Sequence, residues 1–301
     1  MPNELTRGIW YGLAGYILWG LSPIFWKALT EIDAFDVLSW RIICTYIFTV
    51  VAILLLRKGK ELRLVVSSRN GLLSGMICGL LIGFNWGMFV WAVDSNHVVD
   101  ASLGYFMNPL MNVFLGVVIL REKLRSVVWV SVGFAALGVL WLTFALGAFP
   151  WISVSLACSF ALYGLIRKVA PAGPLTGLTI ETSTVVLPAL LFLLIRGNAV
   201  DNLNISSGVT VLVLLSGLAT GIPLLLFASS ARRIPLSILG LLQYITPTLQ
   251  LLLGIFAYGE AFDGTRFIGY AVIWSGLLIF SVDSFFATRR QEYKHLRKEG
   301  S

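Results

Sequence analysis

The sequence predicts an all-α polytopic membrane protein: ten transmembrane helices in two inverted five-helix repeats, both termini cytoplasmic. Three observations predict it. The chain of 301 residues is 57% hydrophobic and only 12% charged, about half the charged share of an ordinary soluble domain, and one soluble core could not hide so much apolar surface. Its apolar residues come in long runs bounded by charges, the pattern of membrane-spanning helices. The stretch from Leu72 to Leu140 also lies without a gap on Thr210 to Leu278, 138 residues later. Gly79 then meets Gly217, Gly83 meets Gly221, Phe89 meets Phe227, Pro109 meets Pro247, Gly116 meets Gly254, Glu122 meets Glu260 and Gly138 meets Gly276. Glycine and proline fix backbone geometry, so their agreement at one offset argues for duplication better than matched leucines do.

In chain order the predicted helices cover about 8–28, 36–56, 71–92, 100–120, 126–145, 149–167, 175–195, 209–230, 236–257 and 265–286, each near the length a bilayer requires. The first carries Pro23 and Lys27 and lacks a small-residue cleavage site, so it is expected to remain as a span. No charge interrupts Val127 to Ile166, a run too long for one span, and Gly147 to Pro150 supplies the turn that splits it. That turn divides the chain into a first repeat, 1–146, and a second, 147–288. Residues 289–301 form a basic cytoplasmic tail, mixed in charge and expected to be irregular. An odd number of helices per half obliges the second copy to enter the membrane upside down.

The charges test that arrangement. With the N-terminus inside, 18 of the 22 lysines and arginines fall on the cytoplasmic face, Arg167 and Lys168 among them, leaving Lys27, Arg41, Arg196 and Arg266 elsewhere. The opposite loops hold Glu31, Asp33, Asp36, Asp94, Asp100, Asp201, Glu260 and Asp263. Such a bias sets orientation in membranes. The net charge of +7 is spread in short clusters between apolar runs, so no basic domain tracks phosphates and no nucleic-acid partner is expected. Cys44, Cys78 and Cys158 fall inside spans without metal-type spacing, and the two histidines, His97 and His295, lie outside the spans. No phosphate-binding loop, hydrolase elbow or zinc-protease motif occurs, so neither cofactor nor metal nor enzymatic activity is expected.

The candidate functional residues sit mainly on the duplicated helices. Tyr105, Asn108 and Asn112 share one face of the fourth helix, and the same face of the ninth reads Gln243, Thr246 and Gln250. Amides exposed to lipid are costly, so this face turns inward, either to a water-filled cavity or to hydrogen bonds between helices. The third helix carries a glycine ladder, Gly71, Gly75, Gly79, Gly83 and Gly87, with Asn85 and Trp86 beside it. Such a ladder lets another backbone approach closely. The first helix presents Trp19, Ser22 and Trp26 around Pro23, and the sixth presents Ser155, Ser159 and Tyr163. Aromatic faces with scattered hydroxyls suit a small molecule of mixed polarity, although an interfacial belt equally explains Trp26. The expected cavity is lined by the first, third, fourth, sixth, eighth and ninth helices.

Two ionisable residues lie within spans at equivalent places: Arg41 in the second helix and Glu181 in the seventh. Arg41 either serves a site or snorkels to the surface. Glu181 is too short to snorkel, so it is expected beside a cavity or a partner, where a change of protonation could couple transport to protons.

Several segments carry a family resemblance. The pairs Pro109…Gly116…Glu122 and Pro247…Gly254…Glu260 are similar to the repeat ends of EamA-type members of the drug/metabolite transporter superfamily. The run Gly15-Tyr16-Ile17-Leu18-Trp19-Gly20-Leu21-Ser22-Pro23-Ile24-Phe25-Trp26-Lys27 and the segment Phe106-Met107-Asn108-Pro109-Leu110 resemble RarD-like permeases. The resemblance implies a multi-pass bacterial inner-membrane permease for small metabolites or drugs, with chloramphenicol named in that branch. Its partners would be a small-molecule substrate and membrane lipids. A secondary transporter is the reading to test against a channel, for which no ring of charge is visible. An intramembrane enzyme would normally need paired acid–base groups. Substrate, direction of transport, coupling ion and oligomeric state are not encoded in any motif.

Overall fold

The computed structural model describes residues 4–146, 149–197, 207–259 and 264–299, and every regular element among them is an α-helix. The helices are α1 Glu4–Lys27, α2 Ala34–Leu55, α3 Gly59–Ser67, α4 Arg69–Asp94, α5 Val98–Val118, α6 Ser126–Leu146, α7 Trp151–Val169, α8 Pro174–Arg196, α9 Ser207–Ala231, α10 Leu236–Gln243, α11 Ile245–Tyr258 and α12 Gly264–Glu299. Local chemistry accounts for many of the ends. Asp33 accepts from the Phe35 N–H at the start of α2, and Ser68 accepts from the Gly71 N–H at the start of α4. Pro174 opens α8, and Gly197, at φ 76°, closes it in the left-handed conformation that glycine tolerates.

Three features depart from the expected elements. The ninth predicted helix breaks at Tyr244 into α10 and α11, because Pro247 has no N–H for the carbonyl of Gln243 four residues back. The charged segment after α2 forms α3, with no buried residue and with Leu64 and Val66 exposed. At nine residues it is too short to cross a bilayer. The expected irregular tail is helical as far as Glu299, in keeping with its arginine-, lysine- and glutamate-rich composition. Ala148 of the predicted inter-repeat turn, with Asp201, Glu260 and Asp263 of the predicted acidic loops, lies outside the described residues.

Among the described residues, eight segments are long and apolar enough to cross a bilayer: α2, α4, 100–118, 126–144, α7, α8, 208–231 and 236–258, the last taking α10 and α11 together. The first helix falls outside that group, and the apolar part of α12 is the shorter Phe267–Asp283. Large apolar side chains on the outer faces, among them Phe144, Leu194, Ile195 and Phe256, are left exposed, as lipid-facing positions must be.

The principal helix contacts are α6 with α12, α5 with α7 and α10, α1 with α9 and α11, α2 with α8 and α9, and α4 with α7 and α8. Glycine permits the closest of these. A Cβ on Gly79 would stand 2.6 Å from the Glu181 carbonyl oxygen of α8, and one on Gly217 2.5 Å from that of Cys44 in α2. A Cβ on Gly138 would meet the Gly269 carbonyl at 2.7 Å, and one on Gly276 would meet that of Ser131 at 2.7 Å. The ladder on α4 is a seam against α8 at Gly75, Gly79 and Gly83. Gly71 faces Val65 instead, and Gly87 has open space.

Candidate functional site

The two polar stripes meet. Asn112 donates from Nδ2 to Gln243 Oε1 at 2.8 Å, joining α5 to the end of α10. Thr246 donates to the Tyr16 carbonyl at 2.9 Å. Gln250 donates to the Trp19 carbonyl at 3.3 Å, and Ser22 Oγ donates to the same oxygen at 2.8 Å. That carbonyl is the one Pro23 frees, since proline cannot donate back along the helix. Four sequence-predicted site residues, Asn112, Gln243, Thr246 and Gln250, thus tie α5, α10, α11 and α1 together, while Ser22 repairs its own helix.

Asn85 donates from Nδ2 to both the Leu156 carbonyl and Ser159 Oγ, each at 2.9 Å, fastening α4 to α7. Beside it lies a small cleft lined by Asn85, Ala101, Gly104, Tyr105, Asn108 and Leu156. Asn108 is 3% exposed, and its Oδ1 is buried there without a hydrogen-bond donor among the described residues. A buried acceptor left unmade is costly, on the order of 1–3 kcal/mol.

The cleft draws only on α4, α5 and α7. On the flank where α1 and α9 were expected to line a cavity, Tyr16, Trp19, Phe160, Tyr163 and Phe227 fill the space. Trp19 lies 5.8 Å from both Phe160 and Phe227, and Tyr163 stacks on Phe227 at 5.8 Å. Trp19 and Tyr163 are therefore part of a packed aromatic cluster and are not among the residues that line the cleft.

Arg41 is half-buried on α2, roughly 10 Å from the start of that helix at ~1.5 Å per residue. Its guanidinium lies 4.4 Å over the Trp86 ring and 5.3 Å from that of Trp26. Tyr105 is near enough to interact with it electrostatically. No carboxylate pairs with it among the described residues, and its Nε is buried without an acceptor.

Glu181 has the opposite surroundings. It is fully buried, and Oε1 lies 3.2 Å from Arg167 Nη1, itself 1% exposed. Tyr163 donates to Oε2 at 3.1 Å, and Arg167 Nη2 also donates to the Pro174 carbonyl at 3.1 Å. Arg167, counted with the cytoplasmic cluster of basic residues, is buried in the last turn of α7. Its spacing of four from Tyr163 put both on one helical face, a signal the charge count concealed.

Glu122 was also missed as a functional group. It accepts from the N–H groups of Leu236 at 2.6 Å and Ser237 at 2.9 Å, and from Ser237 Oγ at 2.7 Å. A carboxylate from the first half thereby caps the N-terminus of α10 in the second. Lys168 holds the Ala231 and Ile234 carbonyls, and Arg232 holds those of Ala170 and Ala172. At the other end Arg196 bridges Asp33 at 2.7 Å and Asp36 at 3.3 Å. The Arg196 hydrogen bond keeps the Asp33 carboxyl below the usual carboxylate range. Burial works to raise Glu61 on α3, but hydrogen bonds from Thr176 and Lys58 hold it below its ordinary value.

The EamA-like transporter family pattern matches residues 6–144. An uncharacterized transporter YojE of Bacillus subtilis is 40% identical over 282 residues, covering 92% of this chain and 94% of its own. The chain belongs to the EamA-like transporter family. Within it, Protein RarD of Streptomyces exfoliatus is 39% identical over 96% of this chain and 92% of its own length, and Protein RarD of Escherichia coli 36% over 96% and 98%. A crystal structure with 19% identity superposes with a TM-score of 0.70 over 95% of this chain and 98% of that one, which shows the shared fold. The protein is accordingly a RarD-like, multi-pass membrane transporter of this family.

Proposed function

We propose that the chain is a secondary transporter of the bacterial inner membrane, ten spans in two inverted repeats with both termini cytoplasmic, moving a small metabolite or drug-like molecule by alternating access. One observation carries the reading: the principal helix contacts map onto themselves when the halves are exchanged. Let α1 stand for α7, α2 for α8, α4 for α9, α5 for α10 with α11, and α6 for α12. Then α5–α7 answers α11–α1, α4–α7 answers α9–α1, and α4–α8 answers α9–α2. The other principal contacts, α2–α8, α5–α10 and α6–α12, each join a helix to its own counterpart.

Those self-paired helices run antiparallel. Phe35 meets Phe192 where Thr49 meets Thr182, and Gly138 reaches Gly269 where Ser131 reaches Gly276. Counterparts crossing antiparallel are related by an axis in the membrane plane, the symmetry of an inverted repeat. The family pattern, matching residues 6–144, supports 1–146 as the first repeat and 147–288 as the second, with 289–301 a cytoplasmic tail. The concentration of lysine and arginine at one end supports the orientation. Rocking of one repeat against the other would carry the polar cleft of α4, α5 and α7 from one face to the other. The substrate-lining residues would be Asn85, Trp86, Tyr105 and Asn108, with the Asn112–Gln243 contact as the closure between repeats. Glu181 would be the proton-coupling group, trading Arg167 for a proton as its surroundings change.

Cysteines at Phe149 and Gly59, both exposed, test the arrangement with an impermeant thiol reagent. Phe149→Cys should label in intact cells and Gly59→Cys only after permeabilisation. Labelling of both, or of Gly59→Cys alone, in intact cells overturns the inverted topology.

A further inference from the structure

We propose that Arg41 and the cleft beside it recognise a small organic monoanion, a carboxylate on a flat apolar body, as the cargo of the transport inferred above. The inference rests on that carrier reading and sharpens its substrate class. It starts from a census of the cations. Arg167 has the Glu181 carboxylate and the Pro174 carbonyl. Lys168 has two backbone carbonyls, Arg196 has Asp33 and Asp36, and Arg125 has Asp283 at 2.7 Å. Lys27 is exposed at the end of α1, over the Tyr258 ring at 3.6 Å. Arg41 is drawn inside the bundle and given neither an anion nor a hydrogen-bond acceptor among the described residues.

What surrounds Arg41 has the form of a receptor. The indoles of Trp86 and Trp26 lie against its guanidinium, favourable for the cation and flat enough to bracket an aromatic or apolar body. A guanidinium offers a planar fork of donors that matches a carboxylate with two parallel hydrogen bonds. Trp86 links it to the cleft, since it lies under the Arg41 guanidinium and directly follows Asn85, which lines that space. Asn108 Oδ1, which lines the cleft without a donor among the described residues, would accept from a hydroxyl or amine on the same molecule. A single cation stands here, so one negative charge is balanced. A phosphate dianion would need a second positive group that the cleft lacks among the described residues.

Benzoate and its uncharged isostere benzamide are the probes. Binding to the purified full-length protein is followed by quenching of tryptophan fluorescence, with the thermal midpoint of each variant as the check on folding. Benzoate should bind at least about tenfold more tightly than benzamide, and Arg41→Gln should remove about tenfold or more of benzoate affinity while leaving benzamide unchanged. Arg41→Lys should fall between. If Arg41→Gln does not fold, Trp86→Leu, which leaves the charge but removes one wall, should weaken benzoate in the same assay. Equal affinity for the two probes, no binding of benzoate, or indifference to these substitutions overturns the proposal. Counterflow of radiolabelled benzoate in proteoliposomes separates it from the carrier reading. Binding that depends on Arg41 without counterflow keeps the site and rejects the carrier, whereas counterflow indifferent to Arg41→Gln keeps the carrier and rejects the site.

Discussion

Arg41 and Glu181 are each the eighth residue of their helix, α2 and α8, and these two helices pack antiparallel on one another. Two charges at equivalent positions of the two halves, toward opposite ends of the antiparallel pair, have opposite solutions. Glu181 is sealed with Arg167 and Tyr163, and every part of that arrangement is buried. Arg41 is left half-open between two indoles with no anion. The difference teaches where the fold has spent its polar groups on itself and where it has kept one for a visitor. A fully buried charge must be paired, because desolvation of an ion costs several kcal/mol. A charge with access to water or ligand need not be.

The sharpest way to break this comparison is to remove one member of the sealed pair. Arg167→Leu should destabilise the protein by about 3–5 kcal/mol, because it strands the Glu181 carboxylate. The double variant with Glu181→Leu should recover most of that loss. A thermal midpoint for Arg167→Leu equal to that of the parent protein would show that the pair does not hold the bundle together.

Glu181→Gln probes the same site more gently, since an amide can still accept from Arg167 and Tyr163. Proposed coupling through Glu181 predicts loss of accumulation driven by a pH gradient, with equilibrium exchange retained. Accumulation by the variant under an imposed pH difference removes Glu181 from the mechanism.

A smaller effect divides the polar stripe itself. Gln243→Leu breaks the hydrogen bond to Asn112 and should lower stability by about 1 kcal/mol, the usual worth of such contacts in membranes. Asn108→Leu, whose Oδ1 has no donor to lose among the described residues, should not lower stability but should lower transport. Matched stability losses in the two variants would erase the distinction between closure and cleft.

The smallest effect belongs to the exposed end. The Asp33 carboxyl is held low by Arg196, so its contribution is present above the ordinary carboxylate pKa and disappears as pH falls through its depressed value. Both side chains are more than a third exposed, so solvent screens the pair. Asp33→Asn should shift the thermal midpoint slightly at neutral pH and not at all in strong acid, as unfolding scans across pH would show.

Much of this was legible in the chain. The duplicated glycines and prolines pointed to repeats because they report backbone geometry, and Gly79 and Gly217 indeed sit against the backbones of α8 and α2. The polar stripes were visible at helical spacing, and Asn112 and Gln243 do face one another. The family was legible in the first helix and around Pro109. What sequence spacing could not say is which polar group meets which. Asn85, Tyr105 and Asn108 share a cleft while Trp19 and Tyr163 pack into an aromatic cluster, a division made by contacts among α1, α7 and α9.

By itself, then, the sequence determined that the chain is a helical membrane protein of this family, with polarity and glycine on chosen helix faces. Periodicity and hydropathy are properties of one segment in a solvent, and each helix carries them alone. Only the tertiary structure decided that Glu181 is neutralised by Arg167, that Glu122 caps α10, and that Arg41 keeps no partner among the described residues. Those outcomes depend on distances of a few ångströms between helices far apart in the chain, where Coulomb energies and desolvation change most steeply.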